Sequence, residues 1–180
     1  MDKVKQFLSI AGVERNQESI DLYRKLFVEE VTEFWTAWGN RDRTEMLDGI
    51  CDAWFIANSL EHLDFHIGNG VVDSYHHINQ SINGMCDASN LLDFQVQEGF
   101  KIVCDSNMSK FDNNAQEAEQ TAIKYSRLGV DTCQRKDLYS GKYATFSECD
   151  QMDINRKVYP KGKLLKSAVN YFDPDFSEIL

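Results

Sequence analysis

The sequence holds only two prolines, Pro160 and Pro174, so its first 150 residues are free of the strongest helix breaker. Its five cysteines, Cys51, Cys86, Cys104, Cys133 and Cys149, are an odd number without a CxxC pair, which argues against a disulfide framework or a zinc ribbon. No apolar run approaches the roughly 20 residues of a membrane span, and the apolar region of a secretory signal is missing. A soluble protein of the reducing cytoplasm, without a membrane partner, is therefore expected. Basic residues are scarce as well: 19 Lys and Arg against 29 Asp and Glu give a net charge of −10, which disfavours binding to a nucleic-acid polymer. There is no P-loop, GxGxxG or GxSxG motif. Two histidine pairs, His62 with His66 and His76 with His77, lack a third ligand at fixed spacing and do not make a zinc site.

What is present is helical periodicity and a lopsided charge. Residues 1–100 carry 17 acidic and 7 basic side chains, whereas residues 101–180 carry 12 of each, so the whole excess lies in the first part. With 42% hydrophobic residues in 180, there is enough apolar material for a sizeable core. Apolar residues at steps of three and four predict helices over 3–11, 18–38, 42–63, 71–85, 91–106 and 115–128, with Gly39 and Asn40 ending the second. Asp42 and Glu45 read as a capping box for the third, and Gly68-Asn69-Gly70 as a break. From Gly129 the helical pattern fades, and 142–146 and 158–166 read as short strands or an extended arm. The expectation is an all-α antiparallel helical bundle over 1–130, followed by an irregular or β-containing extension over 131–180 that packs on or closes over the site.

The second helix carries Glu29, Glu30 and Glu33, and the third carries Glu45, Asp48 and Asp52. Residues three and four apart share a helical face, so each set forms an acidic stripe. A tight turn centred between Asn40 and Arg41 puts residues whose numbers sum to about 81 opposite each other, pairing Glu33 with Asp48 and Glu29 or Glu30 with Asp52. A solvated helix face would interleave Lys with Glu, and Arg24, Lys25, Arg41 and Arg43 are too few to neutralise six carboxylates. Clustered hard oxygen ligands are what Mg²⁺ or Mn²⁺ require, so a divalent-metal site is the economical reading.

Glu29-Glu30-Val31-Thr32-Glu33 followed by Glu45-Met46-Leu47-Asp48 resembles the EExxE…ExxD signature of the all-α nucleoside triphosphate pyrophosphohydrolases. That superfamily includes MazG-type enzymes, dimeric dUTPases and phosphoribosyl-ATP pyrophosphohydrolases. Ser106-Asn107-Met108-Ser109-Lys110 and Gly162-Lys163-Leu164-Leu165-Lys166 are similar to segments of phage-encoded members, whose setting would be the host cytoplasm. The spacer from Glu33 to Glu45 is at the short end of the family range, and the C-terminal tail is longer than in minimal members.

The resemblance implies that Glu30, Glu33, Glu45 and Asp48 ligate Mg²⁺, with Mn²⁺ able to substitute, and that Asp52 adds a further carboxylate. Glu29 would position or deprotonate the attacking water, and Glu33 would join it in catalysis. The implied reaction is hydrolysis of a nucleoside triphosphate to the monophosphate and pyrophosphate, by a homodimer or homotetramer. A guanine nucleotide such as dGTP is the first expected substrate, dUTP the alternative, and a non-catalytic metal-binding helical scaffold the alternative of another class. An acidic protein needs placed cations for such a ligand, and Lys110, Lys163 and Lys166, with Asn107 for base or sugar, are the candidates. Trp35, Trp38, Trp54 and Phe55 are positioned to stack a base, but aromatics at helical spacing are more often core.

Overall fold

The computed structural model describes residues 2–64 and 72–180. Among them are six helices: α1 (Lys3–Ala11), α2 (Gln17–Asn40), α3 (Arg43–Asp64), α4 (Val72–Asn90), α5 (Val96–Ser109) and α6 (Ala115–Arg127). Four short strands follow, β1 (Thr132–Lys136), β2 (Tyr143–Ser147), β3 (Gln151–Met152) and β4 (Val158–Tyr159). The fold is thus mainly helical with a small antiparallel β element near the C-terminus. None of these helices is long and apolar enough to cross a membrane. The expected break at Gly68-Asn69-Gly70, and His66 of the first histidine pair, lie outside the described residues.

Short polar side chains start the helices by accepting orphaned N–H groups. Asp2 accepts from Val4, Asn16 from Ser19, Asp42 from Glu45 and Asn114 from Glu117, at 2.9–3.1 Å. The helix ends differ from the sequence expectation in two places. Helix α2 runs through Gly39 and Asn40, and the left-handed residue that closes it is Arg41, with φ of 60°. Gly39 meets nothing within 4 Å, so no packing demand forces a turn there, and the N–H groups of Arg41 and Asp42 close the helix onto Trp38 and Ala37 instead. Likewise the helix expected to end at 85 runs on to Asn90, and the next begins at Val96 rather than 91; the break falls over 91–95, where Asp93 is left-handed.

The chain forms two compact units. One comprises 14–105 and 174–180, with α2, α3, α4 and most of α5. Its core holds Phe34, Leu47, Ile50, Leu60, Leu63 and Met85, each essentially sealed from water. The other comprises 1–13 and 106–173, so of the segment over 131–180 the part up to Asp173 shares its unit with α1 and α6, while 174–180 belong to the first. There β1 and β2 pair antiparallel from Thr132 opposite Ser147 to Lys136 opposite Tyr143, and β3 and β4 from Gln151 opposite Tyr159 to Met152 opposite Val158. Tyr125, Val130, Tyr159 and Leu165 form its buried cluster, and Phe7 of α1 packs on Phe111 with ring centres 5.2 Å apart. The arm expected over 158–166 is strand only at Val158–Tyr159, with a single bridge from Leu164 to Phe146.

Gly12 closes α1 in the left-handed region (φ 66°), and a Cβ there would fall on the guanidinium of Arg135. The exposed Arg135 side chain could move aside, so it is the left-handed backbone that favours glycine here.

Candidate metal centre

The acidic stripes meet on the α2–α3 hairpin. Its antiparallel register is visible in two places: Phe34 lies against Gly49, and Asp52 is the carboxylate that acts most strongly on Glu30. Their numbers sum to 83 and 82, within two of the turn centre expected from sequence. Glu30 sits half-buried within the stripe of Ile20, Tyr23, Phe27, Phe34 and Ala37, three residues after Phe27 and four before Phe34, which withdraws its carboxylate from water. Burial, followed by Asp52, Glu33, Asp48 and Glu29, pushes its pKa up from 4.5 to about 8.

The remaining acids are graded in exposure. Asp48 and Asp52 are half-buried and Asp48 Oδ1 is sealed from solvent, while Glu29, Glu33 and Glu45 are exposed. Glu45 occupies the first turn of α3, with its backbone N–H held by Asp42. The ion pairs Arg24 with Asp21 and Lys101 with Glu98 lie outside the set. Deeper in the same unit, Cys51 is fully buried and its thiol pKa is raised, by burial first and then by Asp52 and Asp48. It is therefore no nucleophile.

Among the described residues, no group of three or more His, Cys, Asp or Glu side chains forms a ready-made metal cage. The chemistry of the donors nevertheless fits a hard divalent ion. Every donor is a carboxylate oxygen, and ionised Glu30 is disfavoured by four like charges and by burial, a cost that a cation among them removes.

The other expected site residues belong to the second unit. Asn107 is buried within α5, not at a helix cap, and its Oδ1 accepts from Lys110 Nζ at 2.5 Å. Lys166 Nζ pairs with Asp173 at 3.3 Å and lies 4.1 Å from the centre of the Tyr171 ring. Lys163 Nζ lies 6.0 Å from the centre of the Tyr159 ring. Of the aromatics, Phe55 is core, Trp54 is half-buried against Phe100 at 4.9 Å, and Trp35 is 44% exposed. Trp54 also walls two cavities of about 350 and 480 Å³. Two residues along a helix turn it by about 200°, so Trp54 leaves α3 on the side away from Asp52.

One residue of this centre was passed over in the sequence. Gly49 adjoins Asp48, and a Cβ on it would lie 3.1 Å from the Phe34 nitrogen and 3.2 Å from its Cα. The signal was a glycine in the middle of a helix, where it is costly unless close packing needs it.

Comparison with protein-family models, with curated proteins and with solved structures gives no match for this chain.

Proposed function

We propose that the protein is a Mg²⁺-dependent nucleoside triphosphate pyrophosphohydrolase of the all-α kind, its helices arranged as an antiparallel bundle that assembles into dimers or tetramers. The observation that carries this reading is Glu30, held half-buried among four other carboxylates with its pKa raised to about 8. A structural acid is normally given donors or a basic partner; this one is given more negative charge.

Glu30, Glu33, Asp48 and Asp52 would hold the cation, with Glu45 at the entrance of the hairpin. When bound, it would supply the positive charge that a triphosphate and its pyrophosphate leaving group need. Glu29, exposed one residue before Glu30, is placed to orient the attacking water and take its proton. The α-phosphorus is the site of attack in this reading, and the products are the nucleoside monophosphate and pyrophosphate. Asn107, Lys110, Lys163 and Lys166, expected from the sequence to contact phosphate and sugar, lie in the other unit, where Lys110 is oriented by Asn107 and Lys166 by Asp173 with Tyr171.

A panel of the common NTPs and dNTPs, assayed for monophosphate and pyrophosphate with Mg²⁺, with Mn²⁺ and with EDTA, tests the reaction and names the base. Metal-dependent turnover, with dGTP the first candidate and dUTP the second, supports the reading. Folded protein that turns over none of them overturns it in favour of a metal-binding scaffold.

A further inference from the structure

The carboxylates of α3 owe their position to what is missing on either side of that helix. On the α2 side, a Cβ on Gly49 would approach the Phe34 nitrogen, Cα and Cβ at 3.1, 3.2 and 3.2 Å. Two of these are backbone atoms, and Phe34 is completely buried, so the few tenths of an ångström that a Cβ needs would come out of the spacing between the two helices. On the α5 side, a Cβ on Gly99 would lie 2.9 Å from Cys51 Sγ and 3.1 Å from Leu47 Cδ1, both on fully buried residues. Helix α3 is therefore pressed between α2 and α5 at two glycine contacts, made at residues 47, 49 and 51. Those residues interleave with Asp48 and Asp52, and Phe34 adjoins Glu33, so the separation that Gly49 sets is the separation of the acidic stripes. Glycines at open helical positions contrast with these: Gly39 and Gly84 meet nothing within 4 Å.

We propose that Gly49, supported by Gly99, is a positioning residue of the carboxylate centre, fixing the α2–α3 spacing at which Glu30, Glu33, Asp48 and Asp52 face one small divalent cation. The inference rests on the metal-site reading above. It has a consequence that mere helix stability does not. Mg²⁺ demands near-ideal octahedral geometry, whereas Ca²⁺ tolerates longer and irregular coordination. Forcing α2 and α3 apart must then cost Mg²⁺ more than Ca²⁺.

The test is calorimetric titration of Mg²⁺ and of Ca²⁺ into the full chain and into Gly49→Ala, Gly99→Ala and Gly84→Ala, with far-UV circular dichroism to verify folding. Gly49→Ala is expected to weaken Mg²⁺ binding by about tenfold or more, the range seen when support of a ligand shell is lost, with a smaller loss for Ca²⁺. Gly99→Ala, whose clash falls on side-chain atoms, should move the same way by less, and Gly84→Ala should leave both affinities unchanged. Unchanged Mg²⁺ affinity in Gly49→Ala, or equal losses for the two ions, overturns the inference while leaving the metal site standing. If Gly49→Ala fails to fold, Gly99→Ala decides, and an unchanged Mg²⁺ to Ca²⁺ ratio there overturns it. Absence of Mg²⁺ binding by the unaltered chain overturns the metal-site reading, and the inference with it.

Discussion

In each unit one carboxylate withdrawn from water has its pKa raised, and the two are treated in opposite ways. In the unit of 1–13 and 106–173, Asp112 is almost wholly buried, yet its Oδ1 accepts hydrogen bonds from the Thr121 and Ser167 hydroxyls. Burial raises its pKa, and those two donors act against the rise. Ser167 in turn accepts the N–H groups of Val169 and Asn170, so Asp112 fastens the segment after Lys166 to α6. In the unit of 14–105 and 174–180, Glu30 is less buried, and after burial the side chains that raise it most are four other acids, Asp52, Glu33, Asp48 and Glu29. A carboxylate that is supplied with donors belongs to the framework; one supplied with more carboxylates is waiting for positive charge.

The sharpest way to break this contrast is Glu33→Gln, which keeps shape and helix propensity and removes one negative charge from the Glu30 cluster. Metal-dependent turnover is expected to fall by at least roughly a hundredfold, with helicity unchanged, because losing a ligand exceeds the loss of its supporting groups. Near-normal turnover would refute the metal assignment. Glu30→Gln probes the same centre through pH. Between pH 4.5 and about 8, Glu30 is protonated in the folded chain and ionised in the unfolded one. The unfolded state then binds fewer protons, so the metal-free protein should lose stability as pH rises through that window. Glu30→Gln should flatten the fall in thermal midpoint, leaving only what other raised acids such as Asp112 contribute. Saturating Mg²⁺ should flatten it in the unaltered protein too, and a slope indifferent to both would count against a cation at Glu30.

How far the sequence reveals this depends on the range of the interaction. The α2–α3 register follows from a short turn and helical period, and so Glu30 beside Asp52 was legible from spacing alone. The cap at Asp42 was legible for the same reason, since Asp42 and Glu45 are three residues apart, whereas the caps at Asp2, Asn16 and Asn114 were not read. What escaped was long-range. The strand β1 is mostly exposed and rich in Gln, Arg and Lys, without the alternation that marks a strand, and it exists because β2 pairs with it. Gly49 gains its meaning only from Phe34, fifteen residues earlier in the chain, which packs against it. The end of α5 escaped too: the helix expected to stop at 106 continues to Ser109 and takes Asn107 into its buried side.

The framework side of the contrast gives two smaller effects. Asp112→Ala leaves the buried Thr121 and Ser167 hydroxyls without their acceptor and should cost about 1–3 kcal/mol in denaturant unfolding, with metal affinity untouched. If metal binding were lost as well, Asp112 would have to be counted with Glu30, and the division drawn between the two acids would fail. Smallest is Tyr125→Phe. The Tyr125 hydroxyl donates to the Lys166 carbonyl at 3.3 Å and accepts the Lys166 N–H at 3.1 Å, bridging α6 to the chain after Leu165. The ring keeps its place in the cluster with Val130, Tyr159 and Leu165, so only the two bonds are lost. Because these bonds are only part-buried, water can replace the hydroxyl and the expected loss is about 1 kcal/mol. A loss equal to that of Asp112→Ala would mean that the Lys166 backbone is sealed from water, and that the Tyr125 bridge fastens the segment as firmly as Asp112 does.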